Sequence, residues 1–422
     1  MKLEKTKNQL YWLIIGAMIF LGVILSFVPL HAQNTDSLKV SSPSIHEAME
    51  NDLQEAFDHQ QEWPKPTKNK GRMTNFQHWN YSKKKHAFLS YYGSSVQFGF
   101  NGSQQTHSLN HSLGLFYKGS WIESKNYKMK VHGWVEQNSL LAGVNTKQFG
   151  KDLGIFSQVN GFDATGHALS LEYLYVQNLF FDDRLDISIG KIDPLFSTLF
   201  TNYAGWDRMT FFSKTMTSNP VPPMGTGFGM LTEFHLSNHV SIGALAVNAN
   251  EKSPIMEPHR FFSSNQPLFY QGFVRWNIPT KDNLYSSHVF TCYGFDRITS
   301  AEYHPMRNAY GWAYVGNQGL SKKSILTLKA SAGNGMIQKY RAGYGVGFVH
   351  LSPFNRHGDQ LGYSVVLNEG AGAYEGRFEA GVDAYYKMFV RPWFTASVNM
   401  QIIYGVNQKM NYVPGFRVMM TF

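Results

Sequence analysis

Hydrophobic and polar residues alternate with a period of two along much of the chain. In the C-terminal stretch PGFRVMMTF, positions 416, 418, 420 and 422 are apolar and share one face, and Arg417, Met419 and Thr421 share the other. Such alternation is typical of a strand with one face toward lipid and one toward water. Nine residues of this kind equally fit an amphipathic edge strand of a soluble sheet, so the rest of the chain must separate the two.

Sixteen segments of about ten residues have strand character from residue 88 onward. Ten residues are roughly what a tilted strand needs to cross the hydrocarbon core of a bilayer. The segments are 88–100, 110–121, 127–138, 168–179, 184–192, 226–236, 239–249, 269–279, 286–297, 308–317, 324–333, 342–352, 360–370, 375–389, 392–404 and 413–422.

The connections between these segments alternate in length. ESKN, FFDD, LSN, PTKDN, QGLSKK and PFNRHGD are short and rich in turn residues, whereas 139–167, 193–225, 250–268 and 298–307 are long. An even-stranded outer-membrane barrel has tight turns at one end and long loops at the other, whereas a β-sandwich or propeller has no reason to alternate in this way. The sequence therefore predicts an all-β fold, a transmembrane antiparallel β-barrel of about 16 strands.

The faces of individual strands agree with this prediction. Along GRFEAGVDAYYK, Arg377, Glu379 and Asp383 share a face opposite the apolar positions, and three charges facing lipid would be costly. That face is therefore expected to be wet. The segment 239–249 alternates poorly, which a packed plug or a subunit interface would explain, and Tyr173, Tyr175, Tyr386, Trp393 and Phe422 are candidates for aromatic girdles.

The N-terminus predicts a segment that is removed. Three lysines precede an apolar run over 11–30 and a small-residue cleavage context at Ala32, so 1–32 is interpreted as a signal peptide, with an uncleaved anchor helix as the alternative. Residues 33–87 are predicted to form a periplasmic N-terminal segment with an amphipathic helix over 44–61, and 88–422 the barrel. No apolar run of 18 residues follows Gln33, and no cysteine lies near Ala32 to support a lipoprotein.

Charge and composition narrow the function. The formal net charge is +9, and removal of 1–32 leaves +7, but dense basic segments occur only ahead of the first strand, so no nucleic-acid partner is predicted. This excess of positive charge is consistent either with an electrostatic field that disfavours cations or with a contribution to solubility. Cys292 is the single cysteine, which excludes an internal disulfide.

Three stretches resemble the carbohydrate-selective porins of bacterial outer membranes, the OprB-type family. They are ALSLEYLYVQNLFFDDRLDISIGKIDPLF, NRHGDQLGYSVV and EAGVDAYYKMFVRPWFTASVNMQIIY, and the turn GNQGLSKK is similar as well. The sequence departs from the family where a proline is expected before the Gln of the penultimate strand, since 398–400 are Val-Asn-Met. The resemblance implies passive diffusion of sugars and other small hydrophilic solutes, with no cofactor, and a C-terminal Phe422 strand recognised by the barrel-assembly machinery.

Candidate site residues follow from this reading. The connection after the fifth strand contains NYAGWDRM, where Trp206 offers a flat face to a sugar ring and Asp207 and Arg208 offer directed hydrogen bonds, with Lys214 nearby. A local ion pair that pins the loop to the wall is the alternative. Alternation predicts the following residues to line the lumen: Glu172, Asp186, Glu233, Gln271, Arg275, Arg377, Glu379, Asp383, Asn399, Gln401 and Arg417.

Enzymatic activity is not predicted. The chain has no GxSxG or HExxH motif and no paired Cys/His cluster, and its 16 histidines are scattered. An outer-membrane barrel enzyme of the lipase or protease type, a transporter of long apolar molecules, and a plugged structural or adhesin barrel remain as alternatives.

Overall fold

The computed structural model describes 86–102, 104–156, 169–194, 199, 203, 210–218, 226–237, 239–248, 268–278, 284, 286–300, 304–334, 340–356, 358–391 and 393–421. The predicted signal peptide, the predicted helix over 44–61 and Phe422 lie outside these residues. Within them, no helix is both long enough and apolar enough to span a membrane.

Sixteen antiparallel strands close into one barrel. They are β1 His86–Asn101, β2 Gln104–Glu123, β3 Tyr127–Gly143, β4 Leu169–Phe180, β5 Leu185–Ile192, β6 Gly227–His235, β7 Val240–Asn248, β8 Leu268–Trp276, β9 Ser286–Ser300, β10 His304–Ser321, β11 Ser324–Gly333, β12 Tyr340–Leu351, β13 Gln360–Gly370, β14 Phe378–Arg391, β15 Phe394–Tyr404 and β16 Met410–Thr421. Each strand pairs with its neighbours in sequence, and β1 pairs with β16 from Tyr91↔Thr421 to Phe100↔Tyr412, so no sheet edge is left open. The predicted antiparallel barrel of about 16 strands is confirmed.

The described parts of the connections contain two α-helices and two short 3-10 helices. They are α1 Thr146–Leu153, α2 Lys214–Ser218, and the 3-10 helices Pro353–Asn355 and Gly372–Tyr374. Helix α1 begins after Asn145, whose side chain accepts a hydrogen bond from the Gln148 N–H, and ends at Gly154 in the left-handed conformation. Both α-helices lie within connections that the sequence predicts to be long, 139–167 and 193–225.

Period-two alternation produces the two faces of the wall. Along β14 the burial alternates residue by residue, with Phe378, Ala380 and Val382 exposed on the outer face and Glu379 and Asp383 buried on the inner face. Large apolar side chains on the outer face remain accessible in the isolated chain, as expected for a lipid-facing band. The poorly alternating segment 239–249 follows the same rule: Ile242 is exposed outside, and Leu245 and Val247 are buried inside.

One predicted connection is much shorter than expected. The segment 298–307 was expected as a long loop, but β9 continues to Ser300 and β10 begins at His304. The strands pair as far as His304↔Ser300, with two register irregularities near Arg307. The hairpin therefore extends the barrel wall beyond the length needed to cross a bilayer.

Candidate functional site

The connection between β5 and β6 enters the barrel. We call residues 210–218 the inner loop; it includes helix α2. Phe211, Phe212 and Met216 are completely buried, and their contacts are with side chains on the inner face of the wall. The ring of Phe211 meets that of Tyr385 edge-on, with 5.0 Å between centroids. The inner loop is thus held within the barrel and not above its rim.

Asp383 binds the backbone of the inner loop. Its Oδ2 accepts the Phe212 N–H at 2.8 Å and the Ser213 N–H at 2.7 Å. The Gln401 amide donates to the same oxygen at 3.3 Å. Hydrogen bonds to an ionised acceptor are the stronger kind, and this carboxylate is buried on the inner face of β14. Asp383 is therefore the main anchor of the loop.

Arg417 provides a second anchor. Its Nη2 donates to the Thr210 carbonyl oxygen at 2.8 Å and its Nε to the Ser397 hydroxyl at 3.3 Å. The guanidinium lies 4.5 Å from the centroid of the Phe212 ring, which is a cation–π geometry. One side chain from β16 thus contacts both the backbone and an aromatic ring of the inner loop.

Helix α2 packs on strands β12 and β13. The Thr215 hydroxyl donates to Asn368 Oδ1 at 2.9 Å. A Cβ placed on Gly345 would come within 2.5 Å of Met216 Sδ, and one on Gly347 within 2.8 Å of Met216 Cε. The helix lies against the wall where β12 has no side chains, so the glycines permit this close approach.

The docking site lies across the barrel from the origin of the loop. In the closed order of sixteen strands, β13 and β14 are eight positions from β5 and β6, which is half the circumference. The described part of this connection, residues 210–218, therefore binds to the wall opposite the strands that it connects. This arrangement narrows the barrel at the depth of Asp383.

The β3–β4 connection is also held on β14. The Phe156 N–H donates to Glu379 Oε2 at 2.9 Å, and the Phe156 ring stacks on Tyr374 with 5.3 Å between centroids. Helix α1 contributes Phe149 and Leu153 to a cluster with Ile403 and Val413. Glu379 and Asp383, four residues apart on one face, therefore bind the backbones of two different connections.

The predicted lumen-lining residues are mostly buried on the inner face. Asp186 accepts from the Gln177 amide at 2.6 Å, and Glu233 forms an ion pair with Arg275 at 3.3 Å. The buried members of the predicted set on the described strands are Asp186, Glu233, Gln271, Arg275, Glu379, Asp383, Asn399, Gln401 and Arg417. Whether a solute contacts them is not decided by burial, so their role in binding stays a prediction.

Arg377 and Glu172 do not follow the predicted alternation. Arg377 is exposed and precedes β14, and its backbone closes a turn: its carbonyl accepts the Gly370 N–H and its N–H binds the Tyr374 carbonyl. Glu172 is half-buried beside Ser170 at a register irregularity where Trp134 pairs with Tyr173 but the next residue, Val135, pairs with Leu171. A turn and a bulge thus replace regular strand at these two positions.

The same bulge reverses a second expectation. Tyr173 and Tyr175, candidates for an aromatic girdle, are buried on the inner face of β4. They belong to what we call the inner aromatic wall, a set of rings packed along β1–β4 and β8–β9. Its members are Tyr91, Phe116, Trp134, Tyr173, Tyr175, Phe269, Phe273, Tyr293 and Phe295. Phe116 stacks on Trp134 at 5.1 Å, and Trp134 meets Tyr173 edge-on at 5.7 Å.

Trp206, Asp207 and Arg208 lie outside the described residues, so their predicted role stays a prediction. Lys214 is the first residue of α2 and is half-buried within the inner loop. The structure therefore places one of the four predicted constriction residues inside the barrel.

Sequence reasoning missed the anchoring contacts. Asn368, Ser397 and Thr210 were not singled out, and Asp383 and Arg417 were expected to face solute and not the chain's own loop. The inward face of each could be inferred from alternation, but no local signal in the sequence connects Asp383 with Phe212, 171 residues away. Among the described residues, no group of three or more His, Cys, Asp or Glu side chains is arranged to hold a metal ion.

Comparisons with solved structures identify the fold. The chain is similar to OprB of Pseudomonas putida in its high-pH structure, with a TM-score of 0.65 and 13% identity over 92% of this chain and 100% of that chain. The low-pH structure of the same porin matches with a TM-score of 0.51 and 14% identity over 84% of this chain and 98% of that chain. No protein-family model matches the sequence, and no curated protein matches it significantly. At these identities the likeness concerns the fold.

Proposed function

We propose that the protein is a porin of the bacterial outer membrane, through which small hydrophilic solutes diffuse passively, with sugars as the favoured class. The observation that carries the proposal is the inner loop, which lies inside a closed barrel and binds Asp383 of β14 and Arg417 of β16. A loop held at mid-depth by buried charges narrows a passage while leaving its walls polar. The fold shared with OprB supports the same reading.

The preference for sugars rests on aromatic and polar side chains together. The inner aromatic wall offers flat apolar faces, and buried carboxylates and amides on the other strands supply hydrogen bonds to hydroxyls. A sugar ring presents the same two kinds of surface. Selectivity would then come from the width of the passage, its charge and ring stacking, with binding weak enough for release.

The N-terminus directs export: residues 1–32 act as a signal peptide, and 33–87 form a periplasmic segment. In the membrane, the short turns face the periplasm and the long connections face outward, as in barrels of this class. The last strand, ending at Phe422, is the part that the barrel-assembly machinery recognises. No catalytic residue or cofactor is assigned, in keeping with a porin.

The test is single-channel recording of the purified mature protein in a planar bilayer, with mono- and disaccharides added. Stable open steps that a sugar reduces in a saturable manner are expected. Absence of conductance at every salt concentration would contradict the porin and favour a barrel enzyme or a plugged structural barrel.

Trp206→Ala is expected to weaken sugar block while channels still open. Loss of one stacking ring removes an apolar contact of roughly 1 kcal/mol beyond area burial, about a fivefold rise in the sugar concentration needed for half block. The matched control is Trp121→Ala, which removes an indole that is 57% exposed at the end of β2. Equal sugar block in the parent and both variants would show that Trp206 is not part of the sugar-binding site.

A further inference from the structure

Four buried polar side chains lie together on the inner face of β10 and β11. We call Asn317, Thr327, Lys329 and Ser331 the Lys329 patch. Lys329 is 3% exposed and the other three are fully buried. Thr327, Lys329 and Ser331 occupy alternate positions of β11 and share one face, and Asn317 of β10 is the register partner of Thr327.

The polar atoms of this patch have no hydrogen-bond partners. Lys329 Nζ, both amide atoms of Asn317, Thr327 Oγ1 and Ser331 Oγ all remain unsatisfied. None of the ion pairs among the described residues includes Lys329. A buried ammonium with no counter-charge is among the most costly groups that a protein can carry, so an anion that enters beside Lys329 would stabilise the charged form of this amine.

Acidic residues are scarce on the neighbouring wall. The described residues of β10, β11 and β12 include no Asp or Glu, and the acidic residue of β9, Asp296, follows Phe295, which pairs with Ala309, six residues along β10 from Val315, the register partner of Lys329. By contrast, the buried Arg275 and Arg417 each have acceptors close by. The Lys329 patch is therefore a group of buried polar atoms on the barrel wall whose amine has no hydrogen-bond acceptor.

On the side of the patch toward β12, side chains of the inner loop provide the cover: Met216 lies beside Gly345 and Gly347, and Phe211 also lies beside Gly347. Thr327, Lys329 and Ser331 pair with Gly347, Gly345 and Gly343, which have no side chains. The thioether of Met216 fills the space beside Gly345 and Gly347. Methionine is unbranched and adapts readily, so the part of the cover formed by Met216 can move without displacement of the backbone.

We propose that the Lys329 patch binds an anionic group, a carboxylate or a phosphate, carried by the solute. This inference rests on the proposed porin function. The ammonium and the Asn317 amide donate to the anion, the two hydroxyls complete its shell, and the net charge of +7 that remains after removal of 1–32 draws anions toward the channel. The solutes so selected are sugar acids and sugar phosphates in preference to neutral sugars.

The experiment compares gluconate, glucose 6-phosphate and glucose as blockers of single channels of the full mature protein. In the parent, block by at least one of the two anions is expected at lower concentration than block by glucose. Lys329→Met keeps an unbranched side chain, one atom shorter, but removes the amine, and it is expected to raise the half-block concentration of that anion roughly tenfold or more while leaving that of glucose nearly unchanged. The anion whose half-block concentration rises in Lys329→Met shows whether the patch binds a carboxylate or a phosphate.

Lys322→Met is the matched control, because it removes an exposed lysine from the turn of the same hairpin. It alters net charge equally and is expected to leave anion block unchanged. Equal loss of block in both variants would assign the effect to the general field and overturn the site. Unchanged block in Lys329→Met would overturn it as well.

A second measurement separates binding from folding. Because Lys329 is buried and unpaired, Lys329→Met is expected to unfold at the same or a higher temperature than the parent, measured by heat-modified mobility of the barrel on gels. A lower unfolding temperature would indicate a structural role. If the parent forms no channels, the porin proposal fails, and calorimetric titration of the detergent-solubilised protein with the same anions still tests the patch.

Discussion

Replacement of Gly190 by alanine is expected to abolish most barrel assembly. Gly190 lies in β5 with φ of +144°, a conformation that L residues rarely adopt. A Cβ there would come within 2.4 Å of the Leu174 carbonyl oxygen and 2.6 Å of the Tyr175 Cα, both of them backbone atoms of β4. Strain and collision together cost roughly 3 kcal/mol or more, which is a large fraction of the stability of most proteins.

The measurement is the folded fraction after refolding into lipid vesicles, read from the heat-modified gel band and from a urea titration. Gly272→Ala is the matched control, since Gly272 is also inside a strand, β8, and a Cβ there meets nothing within 4 Å. We expect Gly272→Ala to refold like the parent. Refolding of Gly190→Ala to the same extent would show that β4 and β5 can separate at this point without loss of the barrel.

Replacement of Asp383 by alanine is expected to widen the channel. The change removes the acceptor of two backbone N–H groups, those of Phe212 and Ser213. Hydrogen bonds to charged groups contribute about 1.5–3 kcal/mol each, so a loss of about 3 kcal/mol shifts the ratio of docked to released inner loop by roughly a hundredfold. Larger and noisier single-channel conductance in potassium chloride should follow, with weaker sugar block.

Two controls define this result. Asp383→Asn keeps an oxygen in place as a neutral acceptor and should give conductance between those of the parent and Asp383→Ala. Glu123→Ala removes an exposed carboxylate at the end of β2 and should leave conductance unchanged. If Asp383→Ala folds, as judged by gel mobility, and conducts like the parent, then the inner loop does not set the width of the passage.

Gly190→Ala and Asp383→Ala test two different properties of the barrel. Gly190 concerns whether the wall can form, because it lies where two strands approach too closely for a side chain. Asp383 concerns what the wall holds, because its carboxylate binds a segment that starts on the other side of the barrel. A defect in the first removes the channel, and a defect in the second changes its width.

The sequence alone determined the number of strands, their order and the inner face of most of them. Lipid on one side and a polar interior on the other impose alternation residue by residue, and this signal is local, so Glu379, Asp383 and Arg417 could be placed inside from a few neighbours each. The resemblance to the OprB-type family pointed to the same fold. The long connection after the fifth strand could likewise be recognised as a segment with a separate role.

Only the tertiary structure decided which residues of that wall bind the connections. Asp383 meets Phe212, and Arg417 meets Thr210, because closure of the barrel surrounds the inner loop with β14, seven strands from β5, and with β16, five strands from β5. The bulge at Glu172 turned Tyr173 inward, since one extra residue shifts every later side chain to the other face. The unpartnered Lys329 was equally invisible in the sequence, because the absence of a partner depends on every strand around it.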